Sequence, residues 1–241
     1  MKSLLLYSLI TLLLTTASAK EVRLVTFPIP LMVEGRSDGL FLNLTHEIAN
    51  RVSVKFKVDV VKSNQAKLEF FNGLASGYFP GMDNSTPKDA LRSIPFYVRT
   101  NYIFYRSGSA FKTLKDLRGK KVGLTFRYHY PPEIQGDTKI KFSYADDDIT
   151  NMRRLSEGII DAFIVEERSG LRALELSRSK DISYNKDSPV SSQNCYYAFR
   201  NDEEGRVLLK EFNSALTKMQ EDGSLQKVLK FGEPSAIKKT N

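Results

Sequence analysis

The sequence has few of the residues that build most catalytic and metal sites. It contains one cysteine, Cys195, and two histidines, His46 and His129. One cysteine excludes an internal disulfide and a thiolate metal cluster, and its aromatic neighbours predict a buried strand position. The chain has no Ser-His-Asp, Cys-His or zinc-ligand spacing and no glycine-rich phosphate loop. We therefore expect a protein that is not an enzyme and that needs no metal or cofactor.

Long apolar runs are equally scarce after the N-terminus. Lys2 precedes an apolar run over residues 4–14, and Ala17-Ser18-Ala19 then presents small residues of the kind that a signal peptidase reads. This three-part pattern predicts a cleavable signal peptide over residues 1–19 and a periplasmic location. The run is too short for a comfortable membrane span, and no cysteine follows it for lipid attachment.

The chain also lacks a concentrated basic patch, although its formal net charge is +8. Lysine and arginine are spread along the sequence and are not interleaved with stacking aromatic residues. A basic balance can favour nucleic acid or an anionic membrane. The dispersed pattern instead predicts a solvated basic surface with no nucleic-acid partner.

The first part of the mature chain alternates between strand and helix patterns. Residues 22–26 are rich in β-branched residues, Asn43 is a candidate N-cap, and residues 54–60 alternate strictly between apolar and polar. Leu68, Phe71, Leu74 and Ala75 then fit one buried helical face, which stops at Gly77. This order predicts a parallel sheet covered by helices.

A second unit of the same kind follows. Strands are predicted over residues 101–106, 121–125, 140–144, 159–165 and 194–199, and a helix is predicted over residues 204–220. The run Asp146-Asp147-Asp148 precedes another helical pattern and resembles a metal cluster, but an acidic N-cap explains it more simply. Ser224 is a candidate cap of a last short helix. Two α/β units without a flexible linker predict two lobes that share a ligand cleft.

The order of several short motifs resembles that of a known family. The motifs are Gly39-Leu40-Phe41-Leu42-Asn43-Leu44, Thr86-Pro87, Asp116-Leu117-Arg118-Gly119-Lys120-Lys121-Val122-Gly123 and Gly158-Ile159-Ile160-Asp161-Ala162. Together they resemble bacterial periplasmic solute-binding proteins of the polar amino-acid type, extracellular solute-binding family three. Phe41 stands where that family has an aspartate, which marks a divergent member.

The resemblance implies an α/β Venus-flytrap fold with two parallel or mixed sheets and a two-strand hinge. Lobe one would comprise residues 20–103 plus 194–241, and lobe two residues 104–193. Closure of the lobes around a ligand would be a hinge motion. The family also implies a monomer that serves an ABC-type membrane permease.

The resemblance further implies a lobe-one site in which this sequence departs from the family. Relatives bind the ligand carboxylate with an arginine two residues after the Thr-Pro turn, because its planar fork matches a carboxylate. Here Asp89 occupies that position and Arg92 follows one helical turn later. Either Arg92 takes over the role, or lobe one has lost its carboxylate clamp, or both residues lie on a solvated turn. Asn84 and Ser85 are further candidate ligand contacts.

In lobe two the resemblance implies a ligand-binding residue of the opposite charge. Relatives place an acid for the ligand ammonium five residues after the aspartate of an Asp-Ala pair, and here that position is Glu166. The loop that in relatives offers backbone N–H groups to the ligand contains Arg127 and Tyr128, and Phe27 stands where relatives have an aromatic platform. A plain surface run is the competing interpretation of Glu166 and its charged neighbours.

We therefore expect reversible binding of a small polar solute, an amino acid or a related amine-bearing compound, for delivery to an ABC importer. If Asp89 and Glu166 both face the cleft, a cationic ligand becomes plausible on charge grounds. A ligand sensor for a membrane receptor is the main alternative. A dehydratase on the same fold is a weaker one, and it would use His129 with Glu166.

Overall fold

The computed structural model describes residues 22–126 and 128–230. The predicted signal peptide and Arg127 lie outside the described residues. Strands are β1 Val22–Thr26, β2 Phe56–Val60, β3 Gly77–Gly81, β4 Leu91–Arg92, β5 Tyr97–Arg106, β6 Lys121–Thr125, β7 Lys141–Ala145, β8 Ala162–Glu166, β9 Ile182–Tyr184 and β10 Ser191–Phe199. Helices are α1 Leu40–Ala49, α2 Ser63–Phe71, α3 Pro132–Gln135, α4 Asp148–Ser156, α5 Glu167–Ser177, α6 Glu203–Glu221 and α7 Ser224–Val228.

The strands form one continuous mixed sheet that has two halves. Its order is β2-β1-β3-β10-β5-β8-β6-β7, while β4 pairs with β10 and β9 pairs with β5. Strand β1 lies parallel to both β2 and β3 in one half, and β6 lies parallel to both β7 and β8 in the other. The predicted mixed α/β architecture is therefore confirmed.

The long antiparallel strands β5 and β10 connect the halves. Strand β10 pairs with β5 from Ser191 to Cys195, whereas its last residues pair with β3 and β4. Beyond this ladder, β5 continues into the second half, where Asn101 pairs with Glu166 of β8. These two strands form the hinge of a two-lobed molecule.

Separate hydrophobic cores stabilise the two lobes. Leu44, Phe79 and Phe212 belong to a core formed by α1, α6 and the first half of the sheet, whereas Leu124 and Ile164 belong to a core in the second half. We call these regions lobe one and lobe two. The residues at which one lobe passes into the other stay a prediction.

Helix ends correct two expectations and confirm a third. Asn43 lies inside α1, which is preceded by Gly39 at φ 112. A Cβ at Gly39 would lie 2.5 Å from the Met32 carbonyl oxygen, so both the backbone conformation and the close contact favour glycine there. Ser224 is the first residue of α7 and follows Gly223, which occupies the cap position. Asp147 is the N-cap of α4, as predicted, because its side chain accepts from the Thr150 backbone N–H.

The predicted buried face of the second helix is wrong at three of its four residues. Leu68, Phe71 and Leu74 are exposed by 55%, 51% and 65%, whereas Ala75 is buried, as are Ala66 and Phe70. The helix already ends at Phe71. An i, i+3 apolar pattern alone cannot tell which side of a short helix faces the sheet.

Candidate ligand-binding site

A cavity lies between the two lobes at the hinge. Its wall is formed by Phe27, Ile29, Met32, Phe41, Pro80, Met82, Tyr97, Arg99, Tyr128, His129, Glu166, Ser169 and Cys195. Its empty space is about 500 Å³ including the part open to solvent, but the centres of water molecules can occupy only about 40 Å³ of it. That smaller volume holds about three waters. The side chains therefore leave room for a small ligand only.

Glu166 supplies a buried carboxylate to this cavity. It is the last residue of β8 and the N-cap of α5, where its Oε2 accepts from the Ser169 N–H at 2.8 Å. Its Oε1 accepts from the Tyr97 hydroxyl at 2.6 Å. Burial, with the nearby Glu166 charge, raises the pKa of Tyr97, so this hydroxyl keeps its proton and donates. Because each carboxylate oxygen can accept more than one hydrogen bond, Glu166 keeps capacity for a ligand donor.

Arg99 supplies a cation from the hinge strand β5. Its Nη1 donates to the His129 carbonyl oxygen at 3.1 Å, and its guanidinium carbon lies 5.3 Å from the Tyr128 ring centre and 5.5 Å from that of Tyr130. Its Nη2 is buried and has no hydrogen-bond partner. Residues 22–126 and 128–230 place no carboxylate within 4.0 Å of this guanidinium.

Lobe one contributes only apolar side chains to the wall. Phe27 is stacked 6.2 Å from Tyr78, and Phe41 packs edge-on at 5.1 Å from Phe96 and 5.3 Å from Tyr97. Phe41 is 2% exposed. The position at which the resembling family has an aspartate is thus part of an aromatic cluster.

The predicted site residues fall into two groups. Phe27, Tyr128 and Glu166 line the cavity together, as expected of a shared cleft. Asn84, Ser85, Asp89 and Arg92 do not line it. Their roles as ligand contacts stay predictions, as does that of Arg127.

The contacts and exposure of residues in the Thr-Pro loop explain why the second group does not line the cavity. The Ser85 hydroxyl donates to the Met82 carbonyl oxygen at 3.3 Å, and Asn84 and Asp89 are exposed. The Arg92 Nη2 donates to the Pro87 carbonyl oxygen at 3.4 Å, and its guanidinium lies 5.4 Å from the Tyr196 ring centre. These contacts hold Arg92 within lobe one and away from the cavity wall, although its buried Nε has no hydrogen-bond partner among the described residues.

Sequence reasoning missed three polar residues of the wall, Tyr97, Arg99 and Ser169. Tyr97 and Arg99 are two residues apart on one strand, so their side chains emerge on the same side of the sheet. This signal was present, but the strand was predicted to begin only at residue 101. Ser169 reaches the wall because it lies on α5. This helix was not predicted, because the charged run after Glu166 has no apolar helical pattern.

Several contacts join the lobes around the cavity. The Ser169 hydroxyl donates to the Pro30 carbonyl oxygen at 3.3 Å, and Arg172 forms an ion pair with Glu34 at 3.3 Å. Arg168 donates to the Leu229 carbonyl oxygen at 2.7 Å. The helix α5 therefore contacts lobe one at two places, at residues 30–34 and just after α7.

A wider opening adjoins the cavity and shares Phe27, Ile29 and Tyr128 with it. Its wall includes Asp148, which is fully buried and accepts from the Thr125 hydroxyl and, at 3.3 Å, from the Tyr128 hydroxyl. Burial raises the pKa of Asp148 to about 6, although both hydrogen bonds and the nearby Arg99 charge act in the opposite direction.

Two further results concern the described residues alone. Residues 22–126 and 128–230 contain no group of three or more histidine, cysteine, aspartate or glutamate side chains arranged to hold a metal ion. Within the same ranges, every helix is too short or too polar to cross a bilayer.

Curated proteins include relatives at low identity. The L-cystine-binding protein TcyJ of Escherichia coli K12 is 32% identical over 138 residues, which cover 56% of this chain and 50% of that protein. The match thus spans about half the length of that relative. PatH of Vibrio harveyi, named as an amino-acid ABC transporter-binding protein, is 27% identical over 229 residues and is matched over 89% of both chains. No protein-family model matches the chain.

Solved structures share the fold along most of the chain. An ancestral arginine-binding protein bound to arginine superposes with a TM-score of 0.71 at 20% identity, covering 87% of this chain and 96% of that one. The GluR0 ligand-binding core from Nostoc punctiforme, in complex with L-glutamate, gives a TM-score of 0.74 at 16% identity and 88% and 100% coverage. The fold is that of the two-lobed periplasmic binding proteins.

Within that class, the sequence matches specify the relationship further. The chain is a divergent homologue of an L-cystine-binding protein and of a binding protein named for an amino-acid ABC transporter.

Proposed function

We propose that this protein binds a small polar solute in the periplasm, an amino acid or a related amine-bearing compound, and delivers it to an ABC importer. The observation that carries the proposal is the buried Glu166 carboxylate in a cavity between two lobes. A buried carboxylate in a mostly apolar wall favours a ligand with a hydrogen-bonding cation, because charge-assisted hydrogen bonds are the strong ones.

The position of Glu166 couples binding to lobe closure. Its oxygens are held by Tyr97 on the hinge and by Ser169 in lobe two, while Ser169 also contacts Pro30 of lobe one. A ligand on Glu166 therefore stabilises an arrangement that depends on both lobes. Such a ligand favours the closed state through its differential contacts with the two states.

The same wall argues against covalent chemistry. Burial, more than any charge nearby, raises the pKa of the Cys195 thiol to about 12. A thiol of that kind stays protonated at neutral pH and is a poor nucleophile. The relatives are also named as binding proteins and not as enzymes. We therefore propose a non-enzymatic role, which leaves the dehydratase hypothesis without support of its own.

Periplasmic location follows from the signal peptide predicted over residues 1–19. The permease partner is inferred from the relatives named for ABC transporters. Cell fractionation tests the first proposal, and uptake of labelled ligand in cells with and without this protein tests the second. Ligand binding without any effect on uptake would favour the sensory alternative.

A binding screen tests the proposal directly. The mature protein, residues 20–241, is refolded from denaturant to remove carried ligand and is then screened by thermal shift against amino acids, polyamines and small organic acids. Amine-bearing compounds should raise Tm by mass action. Glu166→Gln should abolish the shift, whereas the neighbouring Glu167→Gln, which lies outside the cavity wall, should retain it. A shift that survives in Glu166→Gln would contradict the proposed site.

A further inference from the structure

Arg99 is a partly buried cation with unused hydrogen-bonding capacity. Its Nη1 donates to the His129 carbonyl oxygen, whereas its Nη2, which is buried, has no hydrogen-bond partner among the described residues. The two tyrosine rings beside it stabilise the charge without accepting a strong hydrogen bond. An unsatisfied charged donor inside a protein is costly unless something in the site completes it.

Arg99 and Glu166 line the same cavity without pairing. The Cys195 thiol in the same wall is close enough to feel both charges, because burial raises its pKa most, while the Arg99 charge lowers it and the Glu166 charge raises it. Among the described residues no ion pair joins the two charges, although each has hydrogen-bonding capacity left. A ligand with an ammonium and a carboxylate on one carbon complements this arrangement.

The lobe-one part of the wall is apolar, and the cavity leaves little space. Lobe one contributes no charge to it, and the centres of water molecules can occupy only about 40 Å³. A long charged side chain would have to extend into the wider opening beside it, where the carboxylate of Asp148 already accepts hydrogen bonds from the Thr125 and Tyr128 hydroxyls. The ligand side chain should therefore be short and apolar.

We propose that Arg99, and not a residue of the Thr-Pro loop, binds the carboxylate of an α-amino acid with a small apolar side chain. This inference rests on the proposed function and assigns the ammonium to Glu166. The guanidinium fork of Arg99 would turn its free Nη2 toward the carboxylate, while Nη1 keeps its bond to the loop of lobe two. Ligand binding would thereby hold that loop against the hinge.

The test removes the same interaction from the protein and from the ligand. L-Valine is compared with isobutylamine, which is valine without its carboxylate, on the refolded mature protein and on Arg99→Met. Binding is followed by calorimetry and, for weak complexes, by the methyl NMR signals of Met32 and Met82 in the wall. Arg153→Met is the control, because this arginine is exposed on α4.

Arg99→Met should weaken valine binding by about 10- to 100-fold, the range expected for a lost charged hydrogen bond. Binding of isobutylamine should change by less than about 3-fold, since it has no carboxylate to lose. Arg99→Lys, which keeps the charge without the fork, should fall between. Arg92→Met should leave valine binding close to that of the unmodified protein.

Other outcomes separate the two proposals. Equal weakening of both ligands by Arg99→Met would make Arg99 a structural residue and overturn the inference, as would no weakening of either. Binding of L-arginine or L-glutamate in preference to every apolar amino acid would overturn the ligand class but leave the proposed function standing. Failure of every amino acid to bind the refolded protein would overturn the inference, and failure of the other amine-bearing compounds as well would overturn both.

Discussion

The two lobes present opposite chemistries to the cleft. Lobe one contributes Phe27, Ile29, Met32, Phe41, Pro80 and Met82, whereas lobe two contributes Tyr128, His129, Glu166 and Ser169. Arg99, from the hinge strand β5, adds the cation. The apolar face can select ligand shape, and the charged residues can fix ligand orientation. The comparison leads us to propose that Arg99 of the hinge replaces the arginine that the resemblance implies after the Thr-Pro turn of lobe one.

The largest expected effect is on the pH dependence of stability, and it comes from the buried Asp148 on the lobe-two side. Asp148 has a pKa raised from 3.8 to about 6, so the native state retains a proton that the unfolded chain releases. Stability should therefore fall as pH rises from about 4 to 6, by roughly 3 kcal/mol in all. Asp148→Asn should remove this loss and be more stable than the unmodified protein at pH 8.

Urea unfolding at pH 4.5, 6 and 8 measures this difference. Asp222, whose pKa is lowered to about 2 by its hydrogen bonds to Ser224 and Arg51, titrates below this window and is common to both proteins. If the two proteins show the same pH dependence, Asp148 is charged in the folded state and the lobe-two side tolerates a buried charge better than we infer.

The next effect concerns ligand affinity. Glu166→Gln should weaken binding of an amine-bearing ligand by about 10- to 100-fold, because a neutral amide replaces the charged acceptor. Calorimetry with the ligand found by screening measures the loss. Glu167→Gln is matched to it in chemistry and helix position, and its affinity should be unchanged. Equal losses in the two variants would show that the general charge of α5 matters and not the carboxylate in the wall.

A smaller effect should come from the apolar face. Phe41→Leu removes part of a packed aromatic cluster and should lower the free energy of unfolding by about 1 to 2 kcal/mol. The space gained should shift selectivity from L-valine toward L-leucine and L-methionine. Phe71→Leu, at a position 51% exposed on α2, should change neither stability nor selectivity. An unaltered preference in Phe41→Leu would mean that the lobe-one face does not select ligand shape.

The smallest effect is expected from the ion pair across the cleft. Glu34 and Arg172 are both about one-third exposed, so their pairing should contribute less than about 1 kcal/mol to the closed state. Glu34→Ala and Arg172→Ala should each weaken ligand affinity by less than about 5-fold, and added salt should reduce the difference.

A double-mutant cycle isolates this pair. The exposed pair Arg118–Asp137, which lies within lobe two, serves as the control and should show no coupling to ligand affinity. Coupling much larger than this bound would mean that the lobes are held together by charge and not by their hinge and ligand.

Much of the fold could be predicted from the sequence because its periodic patterns are local. The strands at residues 22–26 and 121–125 have the predicted bounds, and α6 differs from its prediction by one residue at each end. The helix α5 was missed, because its first residues are charged and its buried positions are small. Its presence converts Glu166 from an apparent surface acid into a capping residue inside a cavity.

The site was predicted less completely for a different reason. Glu166 and Tyr128 follow motifs that keep their spacing, so the resemblance carried over to them. The Thr-Pro loop is shortened, and sequence spacing could not decide between Asp89 and Arg92. Arg99 belongs to no motif, and only the pairing of β5 with β10 brings it to the cavity wall.

The lone thiol in the wall also makes the opening of the molecule measurable. Cys195 is 2% exposed, and with a pKa of about 12 only about one such group in ten thousand is ionised at pH 8. An alkylating reagent can react at an ordinary rate only while the lobes are apart, because the thiol is then hydrated and recovers an ordinary acidity. The labelling rate of the unmodified protein should therefore report the fraction of time for which the cleft is open, and its decrease with added ligand should report ligand occupancy without any introduced probe.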